Sequence, residues 1–263
     1  MKKNKPITKS RLKVALIGYG KMGQVVFQAA TSSSKVLITS TIDSHNPLAD
    51  FKNITEKSLN GAEVAICFTQ PDGVLETIKD LVNNKVKIVM ATTGWENQLA
   101  LAKLLIKKNK GALIASANFS LGVLIYFEMI KHTSQLINKF NEYDLTAFEM
   151  HHHKKLDSPS GTMKKIGALV LDNVDRKKRI VSGSLNRELK PDELHLGFAR
   201  GGDIVGSHQL RLDSTFDTIT LTHEAKTRKG FAVGTLLAAN WIKHKNGWFN
   251  EQDLVTDLVK DFI

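Results

Sequence analysis

The segment of this 263-residue chain with the clearest chemical potential is EMHHHKKLDSPSGT, residues 149–162. Three histidines and two lysines stand there before a Ser-Pro-Ser-Gly-Thr turn. Histidine titrates near neutral pH, and lysine does so when burial or nearby cations lower its pKa, so both can supply protons. The segment is compatible with a metal site, a nucleic-acid contact, an anion-binding catalytic loop or a solvated strand end.

The spacing of the histidines argues against a metal site. Adjacent residues of a strand point to opposite faces, so only His151 and His153 share a side. A metal site needs three or four converging ligands, and the sequence offers no second His, Cys or Asp cluster at ligand spacing. The run is also short and matches no recognisable nucleic-acid-binding module. We therefore expect neither a metal ion nor a nucleic acid at this segment.

Anion binding explains more of the segment. The turn precedes an apolar helical pattern, so it is expected to form a helix N-terminus, whose N–H groups and partial positive charge attract a carboxylate. The basic run lies close enough upstream for the loop to bring it over the same point. A solvated strand end followed by a capped helix remains the simpler alternative. The residues of the expected anion site are Ser160, Gly161, Thr162, His151, His152 and Lys155.

A second motif, GYGKMG at residues 18–23, predicts a dinucleotide site. It joins an apolar strand to a helical pattern, and Asp43 ends the next strand, as the dinucleotide fingerprint requires. Asp43 would accept hydrogen bonds from the adenosine ribose. Because Ser44 and His45 follow it rather than Arg or Lys, the sequence favours NADH over NADPH, although Lys21 is near enough to reach a phosphate.

The order of the predicted elements gives the fold class. Apolar strands alternate with helical patterns up to residue 120, which predicts an α/β fold with a Rossmann-type, doubly wound parallel sheet. Residues 176–229 are mostly strand-like, which predicts a second α+β domain with a mixed or antiparallel sheet. Helical patterns return at Phe231. We expect a dinucleotide-binding domain at 1–120 and 230–263, and a substrate-binding and oligomerisation domain at 121–229.

Composition narrows the class of protein further. The formal charge of +11 comes from scattered lysines, which favours a solvated surface or attraction of small anions over nucleic-acid binding. No apolar run approaches the roughly 18 residues that cross a bilayer, so no membrane association is expected. The single Cys67 allows no disulfide framework and fits a reducing cytoplasm. The basic residues 1–11 lack an apolar segment behind them and are expected to form a disordered tail.

Several of these segments together resemble the dihydrodipicolinate reductase family. They are GYGKMG, FTQP (68–71), ATTG (91–94), SANFS (116–120), EMHHHKKLDSPSGT, RGGDIVGSHQL (200–210) and THEAKTRKGFAVG (222–234). The resemblance covers nearly the whole chain, although the glycine loop is one residue shorter than the family's common form. It implies NADH- or NADPH-dependent reduction of 4-hydroxy-tetrahydrodipicolinate, a cyclic dicarboxylate made from pyruvate and aspartate semialdehyde, in lysine and diaminopimelate biosynthesis.

The resemblance also implies roles for individual residues. His151 and Lys155 become the acid/base pair that protonates the enamine after hydride transfer, while His152, Gly161 and Thr162 bind carboxylates. Family members are commonly homotetramers built through the sheet of the second domain. The expected coenzyme-binding residues are Gly18, Tyr19, Gly20, Lys21, Met22, Gly23, Asp43, Phe68, Thr69, Ala91, Thr92, Thr93, Ser116, Ala117, Asn118 and Phe119.

Three other functions remain possible on the sequence. Another reductase of small acids would share residues 13–120 but not the SPSGT turn. A nucleotide-sensing protein without catalysis would bind NADH and not oxidise it. A basic nucleic-acid-binding protein would show salt-sensitive binding to DNA.

Overall fold

The computed structural model describes residues 10–260, so most of the expected N-terminal tail lies outside the described residues. The chain divides into two compact units. One unit runs through Phe119 and resumes at Phe231, and the other is Ser120–Gly230. Among the described residues, no helix is both long and apolar enough to span a membrane.

The first unit contains a six-stranded sheet in which every pairing is parallel. Its strands, in chain order, are β1 (Leu12–Ile17), β2 (Val36–Ile42), β3 (Val64–Cys67), β4 (Lys87–Met90), β5 (Ala112–Ala115) and β11 (Gly247–Asn250). The spatial order is β11-β5-β4-β3-β1-β2. Strand β3 is buried along its whole length, because a parallel sheet is covered on both faces and therefore takes continuous apolar strands. The predicted parallel sheet is confirmed.

The helices that accompany this sheet are α1 (Lys21–Thr31), α2 (Glu56–Leu59), α3 (Val74–Asn83), α4 (Leu99–Lys108) and α8 (Glu251–Val259). Helix α7 (Lys229–Ile242) begins at the end of the second unit and continues into this one. Helices α3 and α4 each follow a 3₁₀ turn, at Pro71–Gly73 and Glu96–Gln98. The helical patterns of residues 71–85 and 96–110 predict helices from their first residues, and α3 and α4 each start three residues later. The sequence patterns indicated neither the four-residue α2 nor β11.

The second unit contains a five-stranded mixed sheet. Its strands are β6 (Asp144–His151), β7 (Arg179–Ser182), β8 (Glu193–Arg200), β9 (Ser207–Asp213) and β10 (Thr218–Glu224), in the spatial order β10-β9-β6-β8-β7. The pairs β9–β10 and β6–β9 are antiparallel, whereas β6–β8 and β7–β8 are parallel. The predicted mixed sheet is confirmed. Helices α5 (Leu121–Ile137) and α6 (Gly161–Asn173) complete the unit.

Burial alternates along β6, the central strand of this sheet. Leu145, Ala147, Glu149 and His151 are buried, and the intervening residues are exposed or half-buried. Leu145 and Ala147 belong to the apolar core that β6 shares with α5 and α6. The alternation of a strand therefore carries two polar side chains, Glu149 and His151, onto the same buried face.

Candidate active site

The glycine loop after β1 has the conformation that its motif requires. Gly18 has φ +90°, and an added Cβ would lie 2.4 Å from the carbonyl oxygen of Phe68. A Cβ on Gly23 would lie 2.3 Å from the carbonyl oxygen of Gly18, so this glycine lets α1 pack against the loop. Gly20 differs, since an added Cβ would have no atom within 4 Å. The loop is tight at its two ends and open at its centre, where a phosphate would approach the backbone.

Two cavities adjoin this loop and contain most of the expected coenzyme-binding residues. A cavity of about 930 Å³ is lined by Gly18, Gly20, Asp43, Phe68 and Thr69. A second, of about 550 Å³, is lined by Gly20, Lys21, Met22, Gly23, Phe68, Thr69, Ala91, Thr92 and Thr93. No side chain caps the N-terminus of α1, so the end of the helix dipole faces the loop without a competing acceptor. These residues fit a dinucleotide.

Asp43 lies in the larger cavity but is already engaged with the protein backbone. Its carboxylate accepts hydrogen bonds from the N–H groups of Tyr19 at 2.7 Å, His45 at 2.9 Å and Asn46 at 3.0 Å. Burial raises the pKa of Asp43, but these backbone donors lower it by more, so the net shift is downward. Asp43 therefore anchors the glycine loop to the end of β2, and only its remaining lone pairs are available to a ribose.

The strand end SANFS is arranged differently from the other predicted elements. Residues 116–119 line neither of the two cavities. The Ser116 hydroxyl donates to the carbonyl of Asn118 at 2.9 Å and accepts from its N–H at 3.1 Å. Phe119 is fully buried and packs edge-on against Phe231. In this structure the segment closes the end of β5, and its coenzyme contact stays a prediction.

In the second unit, a buried carboxylate links the basic run to the helix after the turn. Glu149 has no exposed surface. Its Oε1 accepts hydrogen bonds from the Ser160 N–H and the Arg200 guanidinium, both at 2.9 Å. Its Oε2 accepts a hydrogen bond from the Ser160 hydroxyl and lies 3.6 Å from His151 Nδ1. One carboxylate thus brings the end of β6 together with the start of α6.

Ser160 is the N-cap of α6, as the sequence predicted for the turn. Its Oγ accepts a hydrogen bond from the Met163 N–H at 3.1 Å, while its own N–H and O–H both donate to Glu149. Ser160 therefore caps α6 and also holds the Glu149 carboxylate in place. Gly161 is exposed and an added Cβ would meet no atom within 4 Å, and Thr162 is half-buried. The first turn of α6 is open where a carboxylate is expected to bind.

The basic run leaves the sheet at His151 and forms a loop against residues 201–204. The N–H of His152 donates to the carbonyl of Ile204 at 2.8 Å. Lys155 Nζ lies 2.7 Å from the Asp157 carboxylate, and its side chain is 23% exposed. Lys154 is exposed. The structure thus separates the two lysines, since only Lys155 points to a fixed partner within the loop.

Three residues of these sites were not assigned from the sequence. Arg200 donates to Glu149, to the Asp157 carbonyl at 2.7 Å and to the Ser158 hydroxyl at 2.6 Å. His208 lies directly across from Glu149 in the β6–β9 pair, with Nε2 3.5 Å from Oε2. Lys52 lines the larger cavity together with Asp43. The segment RGGDIVGSHQL contains the first two, but their positions depend on strand register.

The charges of this cluster set the protonation of His151. Burial raises the pKa of Glu149, but hydrogen bonds from His208, Ser160 and Arg200 lower it to about 2, so it is ionised. Burial lowers the pKa of His151; Glu149 opposes this effect, but His208, Lys155 and Arg200 reinforce it, giving about 4. The imidazole is therefore neutral near pH 7 in the free protein.

Three potential metal ligands converge in the second unit, although the spacing in the sequence indicated no such group. The ligand atoms of Glu149, His151 and His208 lie within 4.8 Å of one another. The Arg200 guanidinium already neutralises the same carboxylate and would repel a metal cation. The expectation that the protein binds no metal stays a prediction.

Comparison with known proteins gives the family. Residues 12–119 match the model for "Dihydrodipicolinate reductase, N-terminus", and residues 122–255 match that for "Dihydrodipicolinate reductase, C-terminus". The chain is 32% identical over 253 residues to 4-hydroxy-tetrahydrodipicolinate reductase of Christiangramia forsetii, covering 95% of this chain and all of that one. It is 34% identical over 203 residues to the enzyme of the same name from Chromobacterium violaceum, covering 75% of each.

A solved structure shares the fold. The dipicolinate-bound dihydrodipicolinate reductase from Paenisporosarcina sp. TG-14 superimposes with a TM-score of 0.74 at 23% identity, covering 92% of this chain and 98% of that one. Both parts of the chain match their family models, and a full-length relative exceeds 30% identity. The chain belongs to the dihydrodipicolinate reductase family.

Proposed function

We infer from the family that the chain is an oxidoreductase, a 4-hydroxy-tetrahydrodipicolinate reductase of lysine and diaminopimelate biosynthesis, and we propose which residues carry out the reaction. The observation that supports the assignment is the Glu149 carboxylate, which holds the end of the His151 strand and the N-cap of α6 together. This arrangement gathers cationic and N–H groups on one side of the second unit. Such a collection suits a dianion that must be bound and then protonated.

The coenzyme is bound in the first unit by the glycine loop and the strand ends that line the two cavities. A reduced nicotinamide dinucleotide supplies the hydride when it is bound there. Gly20 admits a phosphate to the loop backbone, and the N-terminus of α1 stabilises its charge. Asp43 disfavours a 2′-phosphate, so NADH is used at least as well as NADPH. Lys52 lines the same cavity and is the cation that would reduce this preference.

The substrate is bound in the second unit, which is therefore the substrate-binding and oligomerisation domain. Gly161 and Thr162 at the start of α6, together with His152, bind carboxylates. His151 and Lys155 deliver the proton: an N–H bond breaks and a C–H bond forms on the enamine carbon left by hydride addition. His151 is neutral in the free protein, but the substrate's negative charges raise its pKa and allow it to take up the proton that it donates.

The chain assembles as a homotetramer through the sheet of the second unit. Phe148 and Met150 on β6 face away from the apolar core and remain 41% and 38% exposed. An apolar pair at the centre of an open sheet face is a typical interaction surface. The other expectation that concerns the whole molecule, a cytoplasmic location, rests on the unpaired thiol of Cys67.

The proposed function is tested by following NADH oxidation with purified protein. The substrate is generated in the assay by condensing pyruvate with aspartate semialdehyde. NADH oxidation should require both precursors and the protein. NADH binding without oxidation would instead indicate a nucleotide sensor, and oxidation with an unrelated hydroxy- or amino acid would indicate another reductase of small acids.

A further inference from the structure

We propose that Glu149 and His208 are positioning residues for His151. In this arrangement Glu149 is the fixed negative charge behind the imidazole, and His208 holds Glu149 from the next strand. The inference rests on the proposed function, in which His151 donates a proton to the substrate. It adds two residues that need not touch the substrate and that act through His151.

Hydrogen bonds on both oxygens hold the Glu149 carboxylate in one orientation. It is fully buried, and its two oxygens accept three hydrogen bonds, two from Ser160 and one from Arg200. Arg200 also donates to the Asp157 carbonyl and the Ser158 hydroxyl, so the loop cannot shift without breaking these bonds. A buried carboxylate with this many charge-assisted bonds stays ionised and in place.

His151 and His208 face the same oxygen of the Glu149 carboxylate. Oε2 lies 3.6 Å from His151 Nδ1 and 3.5 Å from His208 Nε2. The two rings meet nearly edge to face, with centroids 5.0 Å apart and an interplanar angle of 73°. A Cβ at Gly206 would lie 3.0 Å from His151 Nε2 and 3.6 Å from His208 Cε1. The glycine therefore leaves room for both rings in this arrangement.

The groups around His151 determine which charge state of its ring is favoured during the reaction. Four groups face this ring: Glu149 on its own strand, His208 on β9, Arg200 on β8 and Lys155 in the loop. Of these four groups Glu149 is the anion, and among them it is the one that favours the imidazolium over the neutral ring. With Nδ1 toward Glu149, the Nε2–H bond is the one that breaks when the proton passes to the substrate carbon. The ring then returns to its neutral form.

His208 has a different part from that of Glu149. Its Nε2 lies 3.5 Å from Glu149 Oε2 and 3.4 Å from the Ser160 hydroxyl, and the residue is buried. On its far side His223 of β10 lies opposite it in the sheet. The His208 Nε2 nitrogen is thus placed to donate to Glu149 Oε2, beside the hydrogen bond that this oxygen accepts from the Ser160 hydroxyl. The function of His208 thus requires an N–H group, and a titratable ring is not needed.

Two substitutions test the proposal. Glu149→Gln keeps an acceptor oxygen but removes the charge. We expect it to lower kcat at pH 7 by about tenfold or more, and to move the pH limb of kcat that reports His151 to lower pH by about one unit. The KM for substrate should change by less than about threefold. His208→Gln retains an N–H donor and should keep kcat within about threefold, whereas His208→Ala should lose about tenfold.

Glu193→Gln is the matched control. Glu193 is a buried carboxylate of the same sheet, paired with Arg187 at 2.8 Å, at the opposite end of β8 from Arg200. Its loss can lower stability but should leave the pH limb of kcat unchanged. Histidine NMR on the free Glu149→Gln protein adds a readout that needs no turnover, since the pKa of His151 should be lower than in the wild type.

Each alternative result overturns the proposal. An unchanged pH limb and an unchanged NMR pKa in Glu149→Gln would show that Glu149 only caps α6. Wild-type activity in His208→Ala would remove His208 from the arrangement. If the wild-type protein fails to reduce the substrate, the proposed function fails. In that case the NMR comparison still decides whether Glu149 controls His151.

Discussion

His151 should change its protonation state when a dicarboxylate binds, and the change can be measured. In the free protein the pKa of His151 is lowered to about 4, chiefly by burial. A carboxylate held about 5 Å from the ring, at an effective dielectric constant of about 20, stabilises the imidazolium by about 3 kcal/mol. This energy corresponds to about two pKa units. The pKa of His151 should therefore rise to about 6 in the complex.

The assay is a histidine NMR titration with and without dipicolinate, a planar dicarboxylate. The chain has nine histidines, so the His151 signal must be assigned as the one lost in His151→Gln. His195 lies near the end of β8 opposite Arg200, so its signal should not respond to dipicolinate and serves as an internal control. A pKa of 6 or more in the free protein, or no rise on binding, would refute the reasoning.

Three further outcomes are expected. Asp43→Ala should lower kcat/KM for NADH while leaving kcat/KM for NADPH unchanged. A strong wild-type preference for NADPH would contradict this, and would indicate that Lys52 or Lys21 neutralises the 2′-phosphate. Gly20→Ala should fold normally but bind NADH weakly in a fluorescence titration. Gly18→Ala should instead lower the Tm, because its Cβ would lie 2.4 Å from the Phe68 carbonyl oxygen. Equal Tm values for the two variants would contradict this contrast. The pKa of His151 in the folded protein lies below its ordinary 6.5, so between these two values the unfolded chain binds more protons than the folded chain. The contribution of His151 to the free energy of unfolding should therefore be about 2 kcal/mol smaller at pH 5 than at pH 7. Urea unfolding of the wild type and His151→Gln at both pH values measures this difference.

The parts of the molecule that could be predicted from sequence are those determined by local pattern. Strands β1 to β5 are apolar runs between turn residues, and the glycine loop is a short motif with one structural solution. The Ser160 N-cap follows from a Ser-Gly-Thr turn before an apolar helix. These features depend on neighbours within a few residues, so they can be predicted from the local sequence.

The remaining features depend on long-range register. His208 meets Glu149 only because β9 pairs with β6 in one antiparallel alignment, and Arg200 ends β8 beside them. Lys52 lines the cavity because of the path of the loop after β2. Strand β11, Gly-Trp-Phe-Asn, has only two apolar residues, so it lacks the apolar run that marks β3, β4 and β5 of the same length. No spacing in the sequence encodes these contacts.

We have proposed that the basic loop binds a dianion and protonates it, and a comparison of two lysine variants tests this proposal. It is the kcat of Lys155→Ala measured beside Lys154→Ala, with NADH and the condensation product of pyruvate and aspartate semialdehyde. Lys155 is held at Asp157, whereas Lys154 is exposed. The expected result is a loss of about 10²–10⁴-fold for Lys155→Ala with coenzyme binding unchanged, and of less than about threefold for Lys154→Ala. Equal losses in the two variants would contradict it, because the loop would then act through its total positive charge alone.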